Sequence, residues 1–146
     1  MNEQIFELTE PAPCYVEPIK RLLAQLSSSP IEFGENELRA IVESPASQLF
    51  LLDCDGQTAG MLTLCSYLAP TGRKLWIEDV VVDDAFRGRG YGRRLVEYAI
   101  DCAKEKGGTL MLTSKPSRVA ANALYCSAGF QPKITNVYRL PLPVKE

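Results

Sequence analysis

The chain has 146 residues, a formal net charge of −2 and no histidine, a size that suits one domain around one substantial core. Without histidine the commonest general base and the commonest metal ligand are both missing, so proton transfer falls to carboxylates, Tyr, Cys, Lys or water. The five cysteines, Cys14, Cys54, Cys65, Cys102 and Cys126, are odd in number and form no C-x-x-C pair, which argues against a disulfide framework or a zinc site and for reduced packing residues; no metal is expected.

In chain order, residues 5–9 read as a short strand closed by Pro11 and Pro13. Residues 15–26 carry Ile19, Leu22, Leu23 and Leu26 at helical spacing, and a second helix over 35–43 stops before Pro45. Residues 48–54 and 58–67 flank Asp55-Gly56, a hairpin turn signal, and a further strand covers 73–82 after Pro70-Thr71-Gly72. A helix over 90–106 ends at Gly107-Gly108. A strand over 109–114, a short helix over 118–128 with Ser117 as N-cap and Gly129 as C-terminal cap, and a last strand over 134–140 complete the chain. This order predicts an α+β fold, one mixed sheet with helices on both faces, in a single domain spanning 1–146. No stretch approaches the roughly 20 apolar residues of a membrane span and the N-terminus does not read as a signal peptide, so a cytoplasmic location and no membrane partner are expected.

The segment Arg87-Gly88-Arg89-Gly90-Tyr91-Gly92-Arg93-Arg94 lies between the 73–82 strand and the helix that follows. A helix start leaves backbone N–H groups without intrahelical partners at the positive end of the macrodipole, where anions bind. Gly88, Gly90 and Gly92 remove the side chains that would bar a diphosphate from those N–H groups, and the four arginines add forked donors. A P-loop is excluded because no Gly-x-x-x-x-Gly-Lys-Ser/Thr occurs, and a dinucleotide fingerprint because the glycines are spaced two apart and lie past mid-chain. An RGG-type nucleic-acid segment does not fit either, since Leu95, Val96, Tyr98, Ala99, Ile100, Cys102 and Ala103 give the following helix the spacing of a buried face. Residues 1–72 carry 3 basic and 10 acidic side chains and residues 73–146 carry 13 and 8. The basic half suits an anionic cofactor and the acidic half a cationic substrate, with random surface scatter as the equal alternative for the acidic half.

Phe86 to Gly92, after Val80-Val81-Val82, resembles the Arg/Gln-x-x-Gly-x-Gly/Ala signature of the GNAT superfamily of acyl-CoA N-acyltransferases. Arg118-x-x-Ala121-x-x-Leu124-Tyr125-x-x-x-Gly129-Phe130 resembles that family's second block. The resemblance implies a mostly antiparallel mixed sheet of about six to seven strands, splayed after the strand over 73–82, with acetyl-CoA in the gap. Val80, Val81 and Val82 would supply backbone groups to its pantetheine. Residues Arg87, Gly88, Arg89, Gly90, Tyr91, Gly92 and Arg93 would hold its pyrophosphate, with Arg118 and Asn122 as further cofactor contacts. A neutral amine attacks a thioester carbonyl and expels a thiolate, so a base, a carbonyl-polarising group and an acid for the sulfur are needed. By resemblance Tyr125 is the candidate acid, with a helix tyrosine packed in the core as the alternative. Glu78 is the candidate base and resembles the glutamate of small-amine acetyltransferases, with a surface carboxylate as the alternative. Histone-type members carry their glutamate two positions earlier, where this chain has Trp76. On a regular strand Glu78 and Asp79 point to opposite faces. Asp79 and Glu32 are candidate acceptor contacts, and Glu35 and Glu37 lie in the region that covers the acceptor site in the family. The acceptor is expected to be a small-molecule or protein amine. No nucleic-acid partner is expected, and the oligomeric state stays open with a homodimer among the options. A non-catalytic acyl-CoA-binding regulatory domain is the alternative function.

Overall fold

The computed structural model describes residues 2–144. The chain divides into two compact units, Met1–Thr113 and Ser114–Glu146.

The first unit is a five-stranded sheet in the order β1 (Glu3–Glu7), β2 (Ser47–Cys54), β3 (Gln57–Ala69), β4 (Gly72–Val82) and β5 (Thr109–Met111). The first four strands are antiparallel neighbours, and β5 joins β4 in parallel. The β2–β3 turn holds Asp55 at φ 50° and Gly56 at φ 85°, the left-handed pair that a two-residue hairpin demands. A 3₁₀ turn, Pro13–Tyr15, leads into helix α1 (Val16–Leu26), and α2 (Glu35–Glu43) follows. Their apolar faces, through Ile19, Leu22 and Leu38, bury Leu8, Leu49, Leu51, Met61 and Val81. Alternation sends Phe50, Leu52, Gly60 and Leu62 to the opposite face. There Phe50 meets Tyr98 of helix α3 (Tyr91–Lys106) edge-on, with ring centroids 5.1 Å apart. A Cβ on Gly60 would stand 3.1 Å from Leu95 Cδ1 and 3.0 Å from the Val81 carbonyl, so helix and sheet pack closely only over a glycine. Helices therefore cover both faces.

The second unit contains helix α4 (Val119–Ser127). Arg118, not Ser117, is its N-cap, and no side chain caps it. The strand expected over 134–140 is absent. Residues 131–144 carry no strand assignment and are all exposed. Alternation makes a segment amphipathic, but only a hydrogen-bonded neighbour makes it a strand, and no backbone hydrogen bond of these residues is found among those described. The described sheet therefore has five strands, not six or seven.

Candidate functional site

Strand β4 runs for 11 residues, but its parallel partner β5 meets only Lys74, Trp76 and the Leu75 between them. From Ile77 to Val82, β4 continues without β5 beside it, which is the splay expected at this point. The strand then gives way to Asp83, a 3₁₀ turn at Asp84–Phe86, and the glycine-arginine turn. Gly88 and Gly90 both take left-handed angles, φ 80° and 79°, and nothing stands within 4 Å of where a Cβ would sit on either. Gly90 is the N-cap of α3, and no side chain caps that end. The first intrahelical bond runs from Arg94 N–H to the Gly90 carbonyl, 3.1 Å. The N–H groups of Tyr91 and Gly92 thus lie in the first turn, where a helix offers them no carbonyl. An open, uncapped, glycine-lined helix start fits a diphosphate.

The arginine side chains engage the protein itself. Arg87 Nε donates to the Val82 carbonyl at 3.2 Å and Nη1 lies 2.8 Å from Asp84 Oδ1. Arg89 lies over the Phe86 ring, 5.3 Å from its centroid, Arg93 pairs with Glu97 at 3.4 Å, and Arg94 pairs with Glu3. The cradle is thus a main-chain one. Tyr91, expected among the cofactor contacts, is 2% exposed, so its side chain belongs to the core. Its hydroxyl donates to Glu3 Oε1 at 2.9 Å and lies 3.4 Å from Cys54 Sγ. The Cys54 hydrogen bond first, then burial and Glu3, push the phenol up to about 12. Only the Tyr91 backbone remains for an anion. Of the three valines, Val81 is buried between the sheet and α1, while alternation points Val80 and Val82 to the α3 face.

Register decides where Glu78 points. Met61 pairs with Val81 and Thr63 with Glu78, so β4 spends one residue more than β3 over this stretch. The extra residue is a bulge at Asp79, whose φ of 53° is left-handed. Strict alternation would have put Glu78 with Val80 and Val82. The bulge puts it instead on the face of Val81, where α1 and α2 cover Val81 but leave Glu78 exposed. Glu78 and Asp79 therefore do not simply oppose each other across a regular strand. Burial pushes the Glu78 carboxyl above its ordinary range, and the negative charge of Asp79 adds to the rise. The pair also acts on Cys65, whose thiol is raised by burial against a lowering hydrogen bond from Ser47, with Glu78 and Asp79 contributing further. Glu32 is exposed in the loop before α2. Glu35 and Glu37 lie in the first turn of α2, where carboxylates favour the helix dipole.

In the second unit the Tyr125 block has a local physical cause. Gly129 at φ 110° ends α4, its N–H donating to the Cys126 carbonyl at 3.1 Å while the Phe130 N–H donates to the Tyr125 carbonyl at 3.0 Å. That is a Schellman cap, and its customary apolar contact is the edge-on packing of Phe130 on Tyr125, centroids 6.2 Å apart. The tyrosine is 7% exposed. Arg118 is exposed at the helix start, and Asn122 Nδ2 donates to the Lys115 carbonyl at 3.0 Å, which fixes the turn before the helix.

Three residues that steady the cradle escaped the sequence. Asp83 is buried; its Oδ1 accepts the Ala85 N–H at 3.0 Å and its Oδ2 accepts Arg21 Nε at 3.0 Å. Arg21 Nη2 also donates to the Thr58 carbonyl, 3.1 Å, and Gln25 Oε1 accepts the Asp84 N–H, 2.8 Å. The Asp-x-Ala turn after a strand is a local signal for Asp83. Arg21 and Gln25 lie 62 and 59 positions from their partners and leave none.

The chain is similar to known proteins in sequence and in fold. The sequence pattern of the acetyltransferase (GNAT) family matches residues 5–130. "Uncharacterized N-acetyltransferase YhdJ" of Bacillus subtilis strain 168 is 33% identical over 100 residues, covering 65% of this chain and 68% of that protein. "Probable glucosamine 6-phosphate N-acetyltransferase 2" of Oryza sativa subsp. japonica is 32% identical over 130 residues, 77% of this chain and 73% of its own. In fold, the chain is similar to the crystal structure of glucosamine-6-phosphate N-acetyltransferase from Arabidopsis thaliana, with a TM-score of 0.81 at 21% identity over 96% of this chain and 99% of that one. With a family match across both of its motif blocks, and with the splayed β4 and glycine-opened α3 in place, the chain belongs to the acetyltransferase (GNAT) family.

Proposed function

We propose that this protein is an N-acetyltransferase that moves the acetyl group of acetyl-CoA to a primary amine by direct attack in a ternary complex, both units serving one domain over 1–146. The observation that carries the reading is the uncapped start of α3, opened by Gly88 and Gly90, directly after a stretch of β4 with no β5 beside it. The N–H groups of that turn hold the pyrophosphate, and the backbone of Val80 to Val82 lines the pantetheine arm. Acetyl-CoA supplies the activated acyl group; the residues of this chain position it and move protons. Glu78, directly or through a water, takes the proton from the acceptor ammonium, a task helped by a carboxyl raised above its ordinary range. Tyr125 gives its Oη proton to the departing sulfur.

The test follows release of the CoA thiol from acetyl-CoA across a panel of small amines, glucosamine 6-phosphate and peptides with free N-termini. Turnover with at least one is expected. Tyr125→Phe should lower kcat by about ten- to a thousandfold with little change in the KM for acetyl-CoA. Glu78→Gln should lower kcat by a similar factor and remove the acid limb of the pH profile. Wild-type kcat in either variant refutes the role of that residue, and acetyl-CoA binding without turnover on any amine would favour a regulatory acyl-CoA-binding domain.

A further inference from the structure

We propose that Trp76 and Tyr67, together with Glu78, form a recognition strip for the acceptor, and that this acceptor is a small primary ammonium ion bearing an aromatic ring on a short alkyl spacer. The inference rests on the acetyl transfer proposed above and names its amine.

The register puts the three side chains together. Trp76 pairs with Cys65 and Glu78 with Thr63, while Lys74 pairs with Tyr67, all on the sheet face that bears Val81. The indole N–H donates to the Tyr67 hydroxyl oxygen at 3.3 Å, so the two aromatics are fastened edge to edge and the indole has no polar demand left. Tyr67 is 51% exposed, and Trp76 is half-buried. The two rings form a diagonal cross-strand pair that stiffens this face and leaves aromatic surface open to water beside Glu78.

Charge gives the strip a direction. Lys74, Trp76 and Glu78 follow one another on the same face, each about 7 Å from the next at the rise of a strand. One end is cationic, the middle aromatic and the other end acidic at Glu78, with Asp79 the next residue along the strand. A cation is drawn to Glu78 and repelled from Lys74, and its apolar part then lies over Trp76. An aromatic part gains more there than an alkyl chain, because ring pairs favour offset or edge-on contact beyond simple burial. The separation of about 7 Å between ring and carboxylate is bridged by a short alkyl spacer. The ammonium so placed is next to the group assigned to deprotonate it.

Trp76 is the sole tryptophan of the chain, so its emission reports binding without a label. The 146-residue protein is titrated with 2-phenylethylamine and with butylamine, and CoA thiol release is measured with both. We expect saturable change in emission, with half-saturation about tenfold lower for 2-phenylethylamine. Tyr67→Ala, at an exposed position, should raise that half-saturation about fivefold, and Trp76→Leu should lower kcat/KM for 2-phenylethylamine about tenfold and by a smaller factor for butylamine. Equal binding and equal turnover of the two amines overturn the strip while acetyl transfer stands. Selective binding of 2-phenylethylamine with no CoA release from any amine supports the strip and overturns acetyl transfer.

Discussion

Asp83 anchors the cradle with one carboxylate. The Ala85 N–H holds it below the usual carboxylate range, with Arg21 and Gln25 helping against the opposing effect of burial. A folded value below the unfolded one means stability present above about pH 4 and lost as pH falls through the folded value. Asp83→Asn is therefore expected to be less stable than the parent by about 1–2 kcal/mol near neutrality, the gap closing as the pH drops below about 4. Urea unfolding at a series of pH values measures it. Gly88 and Gly90 were legible in the sequence because a left-handed angle is a property of one residue. The arginines between and after them were not. Arg94 finds Glu3, 91 positions away, and Tyr91 reaches the same carboxylate, so neither side chain faces an anion as spacing alone suggests.

At the scale of elements, the β4 bulge decides which carboxylate shares the sheet face of Val81. Asp79 tolerates φ 53° because a short polar side chain is among the few that do. Asp79→Val should cost about 1–2 kcal/mol, whereas Asp79→Gly should melt at or above the parent temperature, as thermal unfolding followed by circular dichroism would record. Strands and helices around this point were legible within one to three residues, since period and caps are local signals. The bulge was not, because nothing in Ile77-Glu78-Asp79-Val80 announces that β3 offers one residue fewer. Helix α4 is the opposite case. Tyr125, Gly129 and Phe130 were legible as a block, and the Schellman cap gives that spacing its reason.

Across the whole molecule the largest departure from expectation is the segment 131–144. Ile134, Tyr138, Leu140, Leu142 and Val144 share one parity and are 74–104% exposed. Such a row of apolar groups in water favours self-association. Light scattering at increasing concentration is expected to give a mass above that of one chain, and a variant with Ile134, Leu140 and Leu142 all changed to Ser to stay monomeric. By itself the sequence determined the order of elements as far as α4, the glycine-opened start of α3 and the two family blocks, because periodicity, glycine angles and helix ends are written within a few residues. Tertiary structure alone decided the face of Glu78, the partners of the arginines, the clamp on Asp83 and the fate of the last segment. Each of these depends on a strand or side chain far along the chain, and a local pattern carries no record of what folding will bring beside it.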